Sequence, residues 1–193
     1  MNVVFGRMVI NVEFNEDVLN EMIEDFKEYT LNRAFEIEIR NPRYEYSVPY
    51  GTLGYYSASR ADLFVGGVKR GKIFANDDTK GNKLRYCFDE NNVLQKRDVL
   101  TPCYIRKVIF RYAQNVRNGY EYFVSDENGY FRINGMIKDI YDEKNRLVNH
   151  LRLDVGPIEN FDEIELMIMQ IETSEYNKMG VMTGWTNQYK VFK

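Results

Sequence analysis

The segment that best defines the fold is residues 140–147, which read IYDEKNRL. An acidic pair stands there between an aromatic or β-branched run and a hydrophobic one. Similar patterns occur at residues 86–93 (YCFDENNV) and at residues 122–130 (YFVSDENGY), where Asn128-Gly129 is a strong hairpin signal. Because the three copies are spaced irregularly, they predict an antiparallel meander over residues 61–156 rather than a solenoid or a propeller.

The N-terminal part of the chain predicts a β-α-β unit over residues 1–40. Apolar and polar residues alternate over residues 8–14, which is typical of a half-buried strand. Apolar side chains then recur at helical spacing from residue 18 to about residue 31, behind a candidate N-cap at Asn15. Alternation returns over residues 35–40 and predicts the second strand.

The other segments are less regular. Residues 66–72 (GGVKRGK) predict a basic hairpin, and Asn118-Gly119 predicts another tight turn. In the C-terminal helix or strand tail, residues 157–193, the apolar run at 161–172 fits a helix or a buried strand equally well. We therefore expect one α+β domain, residues 1–193, in which the N-terminal β-α-β unit precedes a long meander packed on one or two helices.

Composition narrows the class of protein. The 193 residues are 44% hydrophobic and 28% charged, a mixture that favours a folded chain over a disordered one. The net charge of −3 disfavours non-specific binding to nucleic acid or to anionic membranes. Cys87 and Cys103 lie far apart, which favours a reducing compartment, and no signal peptide or transmembrane run is recognised. We expect a cytoplasmic protein without membrane or nucleic-acid partners.

The catalytic and ligand-binding motifs that the sequence partly matches lack the neighbouring residues that their chemistry requires. Residues 66–72 match a phosphate-binding loop in letters, but Ile73 and Phe74 follow where a hydroxyl residue and a helix are required. His150 is the only histidine, and it lies in a strand-like alternation without a nucleophile motif. A single histidine and two separated cysteines also predict no structural zinc site. We therefore assign no catalytic residue, metal ligand or cofactor.

The acidic turns are the candidate contact surface. If several of them lie at one end of the meander, they form an acidic rim that steers a basic protein partner, with tyrosines as buried anchors. Aspartate also favours turns for backbone reasons alone, so plain solvated turns are the competing interpretation. The candidate partner-binding residues are Asp89, Glu90, Asp126, Glu127, Tyr130, Tyr141, Asp142 and Glu143.

The acidic hairpins resemble the YD-type repeats of Rhs proteins over residues 84–153, with residues 140–147 the best match. In style, the chain is similar to the immunity proteins of bacterial polymorphic-toxin systems, and residues 171–176 (IETSEY) resemble the tail of some of them. The resemblance implies a non-enzymatic inhibitor that neutralises a cognate toxin by occluding its active site. It transfers no individual residue role to this chain.

Three alternatives stay open at this stage. A phage-encoded inhibitor of a bacterial defence enzyme would use the same kind of surface on another target. A small hydrolase or nuclease would use His150 together with a turn carboxylate. A ligand or nucleic-acid binder would use Lys69, Arg70 and Lys72, and its binding would depend steeply on salt.

Overall fold

The computed structural model describes residues 16–31, 37–47, 52–53, 56, 69–70, 72–76, 83–101, 104–125, 131–156 and 166–192. These residues form one helix and eleven strands: α1 (Glu16–Leu31), β1 (Arg43–Ser47), β2 (Thr52–Leu53), β3 (Lys69–Arg70), β4 (Lys83–Phe88), β5 (Leu94–Leu100), β6 (Tyr104–Ala113), β7 (Val116–Ser125), β8 (Phe131–Tyr141), β9 (Leu147–Val155), β10 (Leu166–Tyr176) and β11 (Met182–Val191). None of the helical residues in these ranges forms a span long and apolar enough to cross a membrane.

Nine of the strands form one antiparallel sheet in the order β1-β4-β5-β6-β7-β8-β9-β10-β11. From β4 onward each strand pairs with the next one along the chain, so the predicted meander is confirmed. It continues past residue 156, because β10 and β11 extend the same sheet. The short strands β2 and β3 pair in parallel as a separate sheet.

The expected α+β class is wrong, because the described chain is nearly all-β with a single helix. Helix α1 lies where the periodicity placed it, but residues 37–40 are not a strand. Residues 8–14 and Asn15 lie outside the described residues. Of the ambiguous apolar run at 161–172, residues 161–165 lie outside the described residues, and the rest falls in β10, which is paired on both sides with β9 and β11. Pairing with a neighbour on both sides shows that residues 166–172 form a strand, a distinction that local periodicity could not make.

One predicted turn is also wrong. Asn118-Gly119 lies inside β7, and the tight turn is at Gln114-Asn115, where Gln114 has φ 50. A Cβ on Gly119 would lie 3.0 Å from the ring of Phe110, so this glycine permits close packing rather than chain reversal. Of the predicted basic hairpin, residues 66–68 and 71 lie outside the described residues, whereas Lys69 and Arg70 form β3 and pair in parallel with β2.

The two faces of the large sheet carry separate apolar clusters. On the helix face, Met22 and Phe26 of α1 pack with residues of β7 to β10 such as Met136. On the other face, Tyr86 and Phe110 belong to a second cluster formed by β4, β5 and β6. Each face is therefore apolar over only part of its width.

The face opposite the helix carries polar side chains on its central strands. By strand register they include Asp139 on β8, His150 on β9 and Glu172 on β10. We call this surface the second face.

Candidate functional site

Three hairpin turns share one geometry. They begin at Asp89, Asp142 and Asn177, and they connect β4 to β5, β8 to β9 and β10 to β11. In each turn the first side chain accepts backbone hydrogen bonds of 2.9 to 3.0 Å from the residues two and four positions later. The fourth residue has a positive φ, which asparagine and glycine tolerate. These fourth residues are Asn92, Asn145 and Gly180.

In this geometry the two residues of each predicted acidic pair have different roles. The backbone hydrogen bond from Val93 lowers the pKa of Asp89, and the side chain of Arg146 lowers the pKa of Asp142. Both aspartates are therefore occupied by their own turns. The second acids, Glu90 and Glu143, are exposed and remain the candidates for contact with a partner.

Two of the three predicted acidic pairs lie at the same end of the sheet. We call this the turn end, which carries the turns 89–93, 114–115, 142–146 and 177–181. Asp126, Glu127 and Tyr130 lie outside the described residues. The strands that flank them, β7 and β8, reach Ser125 and Phe131 at the opposite end of the sheet.

The turn end is less acidic than the acidic pairs in its sequence suggest. Asp142 forms an ion pair of 2.5 Å with Arg146, and Glu143 is followed by Lys144. The turn at 177–181 contains Lys178 and no acid. The net negative charge of the turn end is therefore concentrated at the β4–β5 turn.

A cleft of about 350 Å³ lies beside this β4–β5 turn. Its lining includes Asp89, Glu90 and Glu38, together with the guanidinium groups of Arg40 and Arg111. The cleft is formed by the irregular segment 37–40, which sequence analysis mistook for a strand. Three carboxylates and two guanidiniums around one opening suit the charged side chain of another molecule.

The tyrosine exposed at the turn end is not the one that the sequence singled out. Tyr141 is half-buried, and burial raises its pKa to about 12. Tyr112 is 46% exposed, and its hydroxyl donates a 2.6 Å hydrogen bond to the carbonyl of Leu94. An exposed aromatic side chain whose hydroxyl is already hydrogen-bonded is well suited to contact a partner. No local sequence pattern distinguished Tyr112 from the other tyrosines.

The only histidine belongs to a buried polar network on the second face. His150 is 5% exposed, and its Nδ1 lies 2.6 Å from Oδ1 of Asp139. Arg117 donates bonds of 2.8 and 2.6 Å to the other oxygen, Oδ2. Burial alone would raise the pKa of Asp139, but the hydrogen bond from His150 and the charge of Arg117 lower it. The network satisfies its members internally.

A further polar contact lies beside this network on β10 and β11. Glu172, which pairs with His150 in the sheet register, accepts a 3.2 Å bond from Nε1 of Trp185. Because the partner of His150 comes from strand β8, the turn carboxylate expected in the enzyme alternative is not its neighbour. Among the described residues, no group of three or more histidines, cysteines and acids is placed to hold a metal ion.

No protein-family model, curated protein or solved structure matches this chain. The class that the fold and site define is a nearly all-β sheet protein with a charged cleft at its turn end. The geometry of that cleft therefore carries the functional argument.

Proposed function

We propose that this chain is a non-enzymatic protein-binding inhibitor, specifically an immunity protein that neutralises a cognate bacterial toxin by occluding its active site in the cytoplasm. The observation that supports the proposal is the cleft at the β4–β5 turn. Asp89 and Glu90, both selected from the sequence, line it together with Glu38. A basic side chain of the toxin would enter this opening.

The charges act mainly on the approach of the partner. Glu90 and Glu143 are exposed, so each is hydrated before binding, and their attraction to a basic surface raises the association rate more than the final affinity. Asp89 is already fixed by its turn and needs no rearrangement. A preorganised carboxylate at the wall of the cleft lowers the ordering cost of binding.

Contact area would come from the apolar side chains at the same end. Tyr112 is fixed through its hydroxyl, whereas Met179 is 88% exposed at the β10–β11 turn. Aromatic residues and methionine are enriched in protein interfaces. In a typical interface, a few anchor residues are surrounded by a polar rim. Here the exposed apolar side chains would be the anchors, and the charged cleft beside them would be part of the rim.

The test is an affinity pull-down of the tagged protein from its native lysate, followed by mass spectrometry. We expect one stoichiometric protein partner that is released by Glu90→Lys with Glu143→Lys. The control is Glu24→Lys on α1, where the glutamate side chain is 73% exposed and does not line the cleft. Retention of the partner by the double variant, or recovery of nucleic acid in its place, would contradict the proposal.

A phage-encoded inhibitor of a defence enzyme would use the same surface. The identity of the captured protein separates the two versions, since one predicts a toxin and the other a bacterial defence enzyme. Both versions predict that the target loses its activity in a purified mixture with the wild-type chain. Both also predict that the double variant restores this activity.

A hydrolase is the second candidate, and the 2.6 Å contact between His150 and Asp139 is the observation that favours it. Against it stands the burial of the imidazole, since His150 is only 5% exposed. A hydrolytic activity whose pH–rate profile disappears in His150→Ala would support this candidate. Inhibition of the partner by a folded His150→Ala protein would exclude it.

A further inference from the structure

A second cavity, of about 250 Å³, lies between α1 and the sheet. Strand register shows how its floor is built, since Lys138 on β8 is opposite Leu151 on β9, and Leu151 is opposite Ile171 on β10. Val18 and Glu21 line the cavity from α1. It shares no lining residue with the cleft beside the β4–β5 turn, so it is a separate site.

The middle of the cavity is apolar. Leu151 and Ile171 are buried in its floor, and Val18 packs against the same apolar cluster from the helix. Protein interiors leave few voids larger than a water molecule, and an apolar space of this order can hold a molecule the size of benzene. Side chains around such a space lack the contacts that a bound molecule would supply.

One end of the floor is polar, because Lys138 stands there. Its side chain is 10% exposed, and its ammonium contacts Glu21 at 2.5 Å and Asp25 at 3.1 Å. Burial alone would lower the pKa of Lys138, but the hydrogen bonds to these two carboxylates raise it. An ammonium has three N–H donors, and the third has no partner among the described residues. The lining of the cavity therefore includes one charged group with a donor to spare.

The charges at this end disfavour an ion as the occupant. Glu21 and Asp25 carry two negative charges against the single positive charge of Lys138, so an anion would meet an uncompensated carboxylate. A cation would have to stand beside the ammonium. The side chain of Glu21 is 64% exposed, so its carboxylate can still accept a hydrogen bond from an entering molecule. A neutral group that both accepts and donates a hydrogen bond suits this arrangement.

We propose that the cavity binds a small neutral molecule of the alcohol class, with its hydroxyl beside Lys138 and Glu21. A hydroxyl accepts through its oxygen and donates through its proton, so it uses the third N–H of Lys138 and the carboxylate of Glu21 together. The apolar body of the ligand lies over Leu151 and Ile171. This inference does not depend on the proposed inhibitor function.

The experiment is an NMR titration of the isotope-labelled full chain with probes that share a benzene ring and differ in the head group. The probes are benzyl alcohol, toluene, benzoate and benzylammonium. We expect saturable binding of benzyl alcohol, with amide shifts in α1 and in β8 to β10. Toluene should bind about tenfold more weakly, since it lacks the hydrogen bonds of the hydroxyl. Both ions should also bind more weakly than the alcohol, because each meets a like charge.

Two variants locate the site. Val18→Phe fills the cavity from the helix and should abolish the binding of benzyl alcohol. The matched control is Ile23→Phe, which enlarges another half-buried residue of α1 that does not line the cavity, and it should leave the binding unchanged. Lys138→Met keeps an apolar stem but removes the ammonium, so the tenfold preference for benzyl alcohol over toluene should fall to about twofold or less.

The proposal is overturned if benzyl alcohol does not bind saturably, or if any of the other three probes binds the wild type as tightly. It is also overturned if a folded Val18→Phe protein binds benzyl alcohol as the wild type does. The amide spectra of the free variants report whether each one folds. If Val18→Phe does not fold, the probe preference of the wild type against that of Lys138→Met decides, and an unchanged preference overturns the proposal.

Discussion

Asp139 and His150 stand directly opposite each other on β8 and β9, and their side chains meet at 2.6 Å on the second face. With Arg117 on β7, they link three neighbouring strands through side chains as well as through the backbone. Because Asp139 has an exposed fraction of 0%, its charge depends entirely on these two partners. The network therefore fixes the order and register of the central strands.

Replacing Asp139 should strongly destabilise the fold. Asp139→Asn leaves the largely buried guanidinium of Arg117 without its counter-charge, and we expect a loss of about 3 kcal/mol in the free energy of unfolding. Asp154→Asn breaks a more exposed pair with Arg152 and should cost less than about 1 kcal/mol. Urea unfolding measures both variants. Equal losses would mean that the network does not stabilise the sheet.

The same carboxylate predicts a pH dependence. The pKa of Asp139 is lowered in the folded chain, so its contribution to stability is present above the unfolded pKa near 3.9 and disappears as the pH falls through the folded value. The stability difference between the wild type and Asp139→Asn should therefore shrink in acid. Unfolding curves at a series of pH values test this, and a difference that grows in acid would contradict it.

Two buried tyrosines predict a late step in an alkaline titration. Burial raises the pKa of Tyr120 and of Tyr141 to about 12 in each case. The stability that they contribute is complete below the unfolded pKa of about 10 and is lost as the pH rises toward the folded value. Ultraviolet absorbance should show ordinary tyrosines ionising first. Tyr120→Phe and Tyr141→Phe should each reduce the late step, and an unchanged late step in both would refute the assignment.

Gly135 should be irreplaceable in β8. A Cβ at this position would lie 2.1 Å from the backbone oxygen of Leu153, so the two strands would have to separate. We expect Gly135→Ala to cost about 3 kcal/mol, at the upper end for overpacking. In Gly184→Ala the close neighbour, at 2.7 Å, is the flexible end of Glu175, and the cost should stay near 0.5 kcal/mol. Thermal unfolding compares them, and similar losses would contradict this explanation.

Local chemistry made part of this fold predictable. Asp89 and Asp142 fix their turns through bonds within five residues, so the hairpins were visible in the sequence. The contact between His150 and Asp139 was not visible in the sequence, although a single turn connects their two strands. The register shifts between Ile140 and Tyr141, and counting back from the turn without that bulge places Asp139 opposite Asn149.

Other features depend on contacts that no local pattern encodes. The dipeptide Asn118-Gly119 is typical of a turn, but it lies within a strand, where Gly119 lets the ring of Phe110 pack closely. The cleft at the turn end requires residues 37–40 to approach a turn some fifty positions later.

The shared turn geometry has an evolutionary consequence. The first residue of each turn is committed to the backbone, and the fourth must tolerate a positive φ, whereas the second points outward at Glu90, Glu143 and Lys178. Substitutions at these second positions change the displayed charge without disturbing the hairpin. Descendants of this chain can therefore exchange one recognition specificity for another, one turn at a time, on an inherited scaffold.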